Sequence, residues 1–185
     1  MTLNVPSVLR SAAASIYTMF MGSAKQNETL EPGARAPDFR LEDLSGGQKT
    51  LADLLSAGPA LLAFFKVSCP TCQFTFPYLE RIYRGLPAGR ARMVAISQDD
   101  APATREFHKE FGITIPTLLD SARNGYPASN AYGLAYVPSI FLVEGDGAIS
   151  WSLIGFNRKE LEALGEKLGA AVFKPGERVP ESKSG

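Results

Sequence analysis

Apolar residues are distributed along this chain in continuous runs and in periodic stretches. The segment 60–67 is apolar except for Lys66, as expected of a central strand buried on both faces of a sheet. The segment 92–97 predicts a second buried strand, and residues 70–86 between them have helical spacing, with Pro77 expected to kink the helix. The apolar face of that helix is predicted to contain Phe74, Tyr78, Leu79, Ile82 and Tyr83. The pattern therefore predicts a strand–helix–strand unit.

Further helices are predicted from their start signals. Asp100 can cap a helix that has Pro102 in its first turn. Asn157, with Glu160 three residues later, resembles a capping box. The predicted helices are 50–55, 70–86, 101–111 and 158–168.

The remaining apolar segments are short and predict strands. The sequence Glu144-Gly145-Asp146-Gly147 separates two of them and is typical of a hairpin. The predicted strands are 36–41, 60–67, 92–97, 117–119, 139–143 and 148–154. Strands that alternate with helices indicate an α/β domain, although alternation alone does not distinguish among the many folds of that class.

The length and composition fit one domain with its own core. A chain of 185 residues with 45% hydrophobic content can bury roughly 70% of its unfolded surface. We predict an N-terminal extension over 1–30, an α/β domain over 31–173 and a polar tail over 174–185 that is frayed. The 19 basic and 19 acidic residues cancel, which argues against nucleic acid as the partner.

The N-terminal extension allows two interpretations. Residues 11–24 carry no charge, follow Arg10 and end in Gly22-Ser23-Ala24, which loosely suits a signal segment. An amphipathic helix fits as well, because apolar residues recur at helical spacing at Val5, Leu9, Ala12, Ile16, Met19 and Phe20. We favour the helix, and with it a cytoplasmic rather than a periplasmic or exported location. The 14 uncharged residues are too few for a membrane span.

The candidate chemistry lies in the only two cysteines, Cys69 and Cys72, which enclose Pro70 and Thr71 directly after the predicted central strand. A strand that delivers a Cys-x-x-Cys pair to a helix start is the arrangement used for thiol–disulfide exchange. If Cys69 is the N-cap and Pro70 the first helical residue, the free amides and the positive end of the helix dipole favour a thiolate on Cys69. Cys72 should be the more buried sulfur. We therefore expect Cys69 to attack a disulfide and Cys72 to resolve the mixed disulfide.

Two other uses of the cysteines fit less well. A zinc site needs about four ligands, and the chain offers only two cysteines and His108, so we predict no metal. A structural disulfide between Cys69 and Cys72 would close too small a loop to stabilise much. Exchange through a dithiol needs no bound cofactor. Its partners would be a protein disulfide or dithiol substrate and an electron donor or acceptor protein.

From residue 33 to about 168 the chain resembles the TlpA-like and peroxiredoxin-like (AhpC/TSA) branch of the thioredoxin superfamily. The order of the predicted elements is also that of a thioredoxin fold. The resemblance implies a central mixed β-sheet flanked by helices. The motifs that carry it are 33–39 (GARAPDF), 64–72 (FFKVSCPTC) with Pro77, 132–142 (YGLAYVPSIFL) and 145–147 (GDG).

The resemblance implies a role for the loop at Val137 and Pro138. It predicts a cis peptide bond there, facing the cysteine pair, with backbone groups offered to a substrate strand; only proline makes a cis bond accessible at about 0.5–1 kcal/mol. Three positions depart from the family: Ser68 stands where thioredoxins usually carry Trp, Ala63 occupies the position of their buried acid, and Thr75 replaces a Glu of many TlpA-like proteins. The proton acceptor for Cys72 is therefore not identified.

Two other functions are compatible with the fold. Peroxide-reducing members of the family resemble one another in Pro-x-x-x-Thr-x-x-Cys, and here Leu62 and Lys66 occupy the Pro and Thr positions. Both motif residues are therefore missing, which argues against peroxide reduction and makes a thiol peroxidase the second hypothesis. A non-catalytic interaction module with vestigial cysteines is the third. His108 is expected to be a solvated side chain and Trp151 to be a packing residue.

Overall fold

The computed structural model describes residues 28–185. The predicted helix or signal segment near the N-terminus lies outside the described residues. The strands are β1 (Arg40–Asp43), β2 (Gln48–Thr50), β3 (Ala60–Phe65), β4 (Arg92–Ser97), β5 (Thr117–Leu119), β6 (Ser139–Val143), β7 (Ile149–Ile154), β8 (Phe156–Asn157) and β9 (Ser182–Lys183). The helices are α1 (Leu51–Leu55), α2 (Pro70–Gly85), α3 (Ala101–Phe111), α4 (Pro127–Ala131) and α5 (Arg158–Leu168), with a 3-10 turn at Ala122–Asn124.

Seven strands form one mixed sheet in the order β2-β1-β5-β4-β3-β6-β7. Strand β3 runs parallel to β4 and antiparallel to β6, and β4 runs parallel to β5. All six residues of β3 are buried, which confirms the predicted central strand, although the strand ends at Phe65 and not at residue 67. The parallel strands β3 and β4 end at the same edge of the sheet, so the residues that follow them lie close together.

The sheet separates two hydrophobic cores, because alternate residues of β3 point to opposite faces. Leu61 and Phe65 belong to the core that includes helices α2 and α5. Leu62 and Phe64 belong to the other, which includes helix α1 and Tyr132. Helix α2 is thereby fixed on one face, and its first residues lie at the end of β3.

Most helix ends follow the predicted signals. The Asp100 side chain accepts a hydrogen bond from the amide of Ala103, and the C-cap of α3 is Gly112, whose φ of 65° suits glycine. The capping box at α5 forms only in part. The Asn157 side chain accepts from the amide of Glu160, whereas the Glu160 carboxylate accepts from the Trp151 indole instead.

The predicted apolar face of α2 packs against one core, but the prediction left out Phe76, the largest fully buried residue of the helix. Phe74 and Tyr78 are half-buried against the same core. The prediction for His108 was wrong. His108 is not a solvated side chain: its Nε2 lies 2.9 Å from the Thr117 hydroxyl, and burial lowers the pKa of its imidazole. Helix α3 packs against the sheet, so His108 meets strand β5.

The prediction of a frayed end over 174–185 was wrong. We call these residues the returning segment, because the chain turns back toward helix α2. Glu177 forms two hydrogen bonds with Arg81, at 2.6 and 3.0 Å, and Val179 packs against the core. Further on, β9 pairs antiparallel with β8. The residues are polar, but charge pairing and backbone bonds hold them without a large apolar face.

Within residues 28–185, no helix combines the length and apolar character that crossing a bilayer requires.

Candidate active site

The two cysteines lie at the start of helix α2, as predicted. Cys69 is the N-cap with extended backbone, and its Sγ accepts a hydrogen bond from the amide of Cys72 at 3.3 Å. Pro70 occupies the first helical position, where the amide it lacks would have no partner within the helix. Both cysteines are free thiols, Cys69 half-buried and Cys72 buried. Strand β3 and helix α2 therefore present one accessible sulfur and one sealed sulfur within a single turn.

The loop before strand β6 forms the opposite wall of the site. The bond between Val137 and Pro138 is cis, as the resemblance implied. The Cys69 thiol donates a hydrogen bond to the Val137 carbonyl at 3.3 Å. The loop is held by the Ser139 hydroxyl, which donates to the Tyr136 carbonyl at 2.7 Å. The predicted site residues Cys69, Cys72, Val137 and Pro138 are thus brought together.

Burial distinguishes the two thiols. Cys72 has no exposed surface, and burial is the largest cause that raises the pKa of its thiol. Contact with Cys69 and the negative charge of Asp99 raise that pKa further, whereas a hydrogen bond from the backbone at Lys66 opposes them. Cys72 is therefore held protonated until its surroundings change. This supports the order of attack predicted from the sequence.

Asp99 is a site residue that the sequence reasoning missed. It follows strand β4, and its carboxylate accepts a 2.7 Å hydrogen bond from the amide of Val67. The Gln73 side chain donates to the Val67 carbonyl at 2.9 Å, so both backbone groups of this residue are engaged. The sequence pattern could have identified Asp99, because β3 and β4 are neighbouring parallel strands and the residues that follow them lie at the same edge of the sheet. Asp99 thereby fixes the turn that leads to Cys69.

The positions at which this chain differs from the family motifs carry neutral side chains, apart from the exposed Lys66. Ala63 is fully buried in β3. The Thr75 hydroxyl, also buried, donates to the Thr71 carbonyl within the helix. Leu62 is buried in the other core and Lys66 is exposed, so neither brings a hydroxyl to Cys69. Among residues 28–185, no three His, Cys, Asp or Glu side chains are grouped to hold a metal ion.

The surface around Cys69 includes exposed apolar residues. Tyr136 is 60% exposed and Ile154 is 47% exposed, and these are the exposed large hydrophobic residues among those described. Both flank strand β6, Tyr136 at the loop before it and Ile154 paired with Ser139. Both side chains therefore lie in solvent near the loop that carries Val137 and Pro138.

The sequence is similar to a known family and to named relatives. The model of the AhpC/TSA family matches residues 32–152. The thiol-disulfide oxidoreductase ResA of Bacillus subtilis (strain 168) is 29% identical over 134 residues, covering 72% of this chain and 73% of its own. ResA of Bacillus anthracis is 28% identical over 145 residues, covering 78% and 82%.

Solved structures share the fold. The thioredoxin domain of a thiol-disulfide oxidoreductase from Bacteroides vulgatus superposes with a TM-score of 0.65 at 22% identity, covering 75% of this chain and 97% of its own. The peroxidoxin BcpB from Mycobacterium tuberculosis gives 0.60 at 22% identity, covering 76% and 95%. These likenesses confirm the predicted thioredoxin fold, with its mixed sheet flanked by helices.

Proposed function

The chain belongs to the AhpC/TSA family, and from this membership and the geometry around Cys69 we propose that it is a thiol–disulfide oxidoreductase that works through Cys69 and Cys72. The observation that carries the proposal is the pairing of a half-buried thiol at a helix start with a buried thiol one turn later. The relatives named ResA, described by name as thiol-disulfide oxidoreductases, support the same activity.

The reaction begins at the accessible sulfur. The Cys69 thiolate attacks one sulfur of a partner disulfide, a new S–S bond forms, and the partner's S–S bond breaks. The departing partner sulfur leaves as a thiolate and takes up a proton. The start of helix α2 supports the negative charge on Cys69 before the attack. Partner and enzyme are then joined by a mixed disulfide.

The second step uses the buried sulfur. Cys72 loses its proton, and its thiolate attacks Cys69 Sγ, which releases the second partner thiol. The partner disulfide has gained two electrons and two protons, and Cys69 and Cys72 are left as a disulfide. A donor dithiol restores the pair by the same steps, and the reverse sequence oxidises a partner dithiol. Because burial raises the pKa of Cys72, its deprotonation belongs to this step rather than to the resting enzyme.

The substrates follow from this chemistry. We propose a protein disulfide or dithiol as substrate and a second redox protein as electron donor or acceptor. Val137 and Pro138 form the wall of the groove that such a substrate meets. The cytoplasmic location stays a prediction, and N-terminal sequencing of the protein from its native host tests it, since cleavage after Ala24 would contradict it.

The experiment is insulin reduction with a dithiol donor, combined with a redox titration of the pair. We expect catalysed reduction and a midpoint potential within the range of about −270 to −120 mV that is typical of exchange proteins. A peroxide-consumption assay on the same sample tests the peroxidase hypothesis. No exchange and no midpoint in that range would favour a non-catalytic module.

A further inference from the structure

Residues 182–185 of the returning segment lie against both walls of the groove beside Cys69. On the helix side, the Thr71 hydroxyl donates a 2.5 Å hydrogen bond to the Ser184 carbonyl. On the loop side, a Cβ atom added to Gly185 would lie 2.8 Å from the Val137 carbonyl oxygen. The same carbonyl oxygen accepts the hydrogen bond from the Cys69 thiol. Residues 184 and 185 therefore lie between the start of helix α2 and the loop that faces Cys69.

The backbone beside the groove is shaped to receive this segment. Strand β9 pairs with β8, and the Arg158 amide donates to the Glu181 carbonyl at 2.9 Å. Gly155 has a φ of 75°, and a Cβ there would lie 2.6 Å from the Lys183 carbonyl oxygen. A side chain at position 155 would push the segment away, so a glycine here allows its close approach.

One side chain of the segment, that of Lys183, makes a specific contact with helix α2. The Lys183 ammonium lies 4.9 Å from the centre of the Phe74 ring, within the range of a cation–π contact. Phe74 lies on helix α2, one turn after Thr71. This contact favours a basic side chain at this point of an extended strand.

The returning segment is attached more firmly in its upstream part than at its end. Residues 181–185 are all exposed, whereas the upstream part is fixed by the paired hydrogen bonds between Glu177 and Arg81 and by Val179 against the core. Apart from the short pairing of β9 with β8, residues 182–185 are held by single exposed contacts, each of which contributes little. The end of the segment beside Cys69 can therefore lift while the upstream part stays attached.

We propose that residues 182–185 are an internal ligand of the groove beside Cys69, and that a partner protein displaces them with an extended segment of its own that carries a basic residue. The proposal rests on the proposed function for its partner, but the position of the segment can be tested without any exchange activity. A backbone carbonyl of the partner segment would accept a hydrogen bond from the Thr71 hydroxyl. Its basic side chain would make the cation–π contact with the Phe74 ring. The apparent affinity for a partner is then the intrinsic affinity multiplied by the fraction of molecules in which the segment is lifted.

The first test measures access to Cys69 by alkylation in the full chain and in a variant lacking residues 182–185. The rate with a bulky polyethylene-glycol maleimide is divided by the rate with N-ethylmaleimide, because a change in the thiolate fraction affects both equally. We expect this ratio to rise about tenfold on deletion, if about one molecule in ten is open in the full chain. A ratio that rises less than about threefold overturns the proposal.

A point variant protects this test against misfolding of the deletion. Lys183→Glu loses the contact with Phe74 and should raise the same ratio, by less than the deletion does. Lys109→Glu makes the same charge change at an exposed site on helix α3 and should leave the ratio unchanged. Equal ratios in both point variants and the full chain would contradict the proposal.

The second test adds the segment back as a separate molecule. An amidated peptide of the sequence of residues 180–185, PESKSG, should slow the bulky reagent on the deletion variant, and the same peptide with Glu in place of Lys should be weaker. If both peptides act equally, the basic subsite on Phe74 is wrong. If insulin is not reduced but the alkylation ratios behave as expected, the proposed function fails and the internal ligand stands.

Discussion

Both ends of helix α2 are contacted by segments that are distant in sequence, and the contacts at the two ends differ in kind. Toward its C-terminal end, Glu80 is 5% exposed and its carboxylate accepts hydrogen bonds from the amides of Thr114 and Ile115, at 2.8 and 3.2 Å. The Thr114 hydroxyl and the Arg84 guanidinium also donate to it. This is a buried carboxylate with its acceptor positions filled.

At the N-terminal end of the helix, the contacts are fewer and weaker. Cys69 Sγ has one amide donor and one carbonyl acceptor, each at 3.3 Å, and sulfur is a weak hydrogen-bonding atom. The returning segment adds the bond from Thr71 and the contact of Lys183 with Phe74, both near solvent. The comparison teaches that the C-terminal end fixes the helix on the sheet, while the N-terminal end keeps its groups available for exchange.

The largest expected effect comes from removing the accessible sulfur. Cys69→Ser should lower insulin reduction by about a thousandfold or more, because a hydroxyl is not ionised near neutral pH and cannot form a disulfide. Ser68→Ala, at an exposed position next to Cys69, is the matched control and should retain activity. Full activity of Cys69→Ser together with loss in Cys72→Ser would show that the roles are reversed.

The next effect lies at the other end of the helix. Glu80→Ala leaves buried donors without an acceptor and should lower the free energy of unfolding by about 2–4 kcal/mol in urea denaturation. Glu110→Ala, on an exposed position of α3, should change it by less than about 0.5 kcal/mol. Alkylation of Cys69 should be unaffected in the folded Glu80→Ala variant. A large loss of Cys69 reactivity would mean that the two ends are not independent.

The smallest effect concerns the anchor of the returning segment. Hydrogen bonds from Arg81, and then from the Lys174 amide, lower the pKa of Glu177 to about 2. Because the folded pKa is below the unfolded value of about 4.3, this pair stabilises the fold above the unfolded value and its contribution is lost as pH falls toward about 2. Glu177→Gln should therefore flatten the fall of stability between these pH values, measured by thermal unfolding. An unchanged pH profile would show that the anchor is not energetically coupled to folding.

The elements around Cys69 could be predicted because their signals are local. Asp100 and Pro102 mark the start of α3, and the run before Cys69 marks β3. The carboxylates that matter most were not identified, because burial and partners are set by tertiary contacts. Glu80 becomes buried only when residues 114 and 115 return to α2, and Asp99 reaches Val67 only because β3 and β4 are neighbours.

The returning segment shows the same limit more clearly. Its polar composition has no apolar period, so the sequence predicted a frayed end. Its order depends on pairing with Phe156 and Asn157 and on Arg81, which are distant in sequence. A two-residue strand carries too little local signal to be found without its partner strand.

The measurement that tests the central claim most directly is trapping of the mixed disulfide. The Cys72→Ser variant, incubated with a protein disulfide and analysed by mass spectrometry after peptide digestion without reductant, should carry the partner on Cys69. The matched Cys69→Ser variant should carry none, because Cys72 is buried and its pKa is raised. An adduct on Cys72 in that variant, with none on Cys69 in the other, would contradict the account.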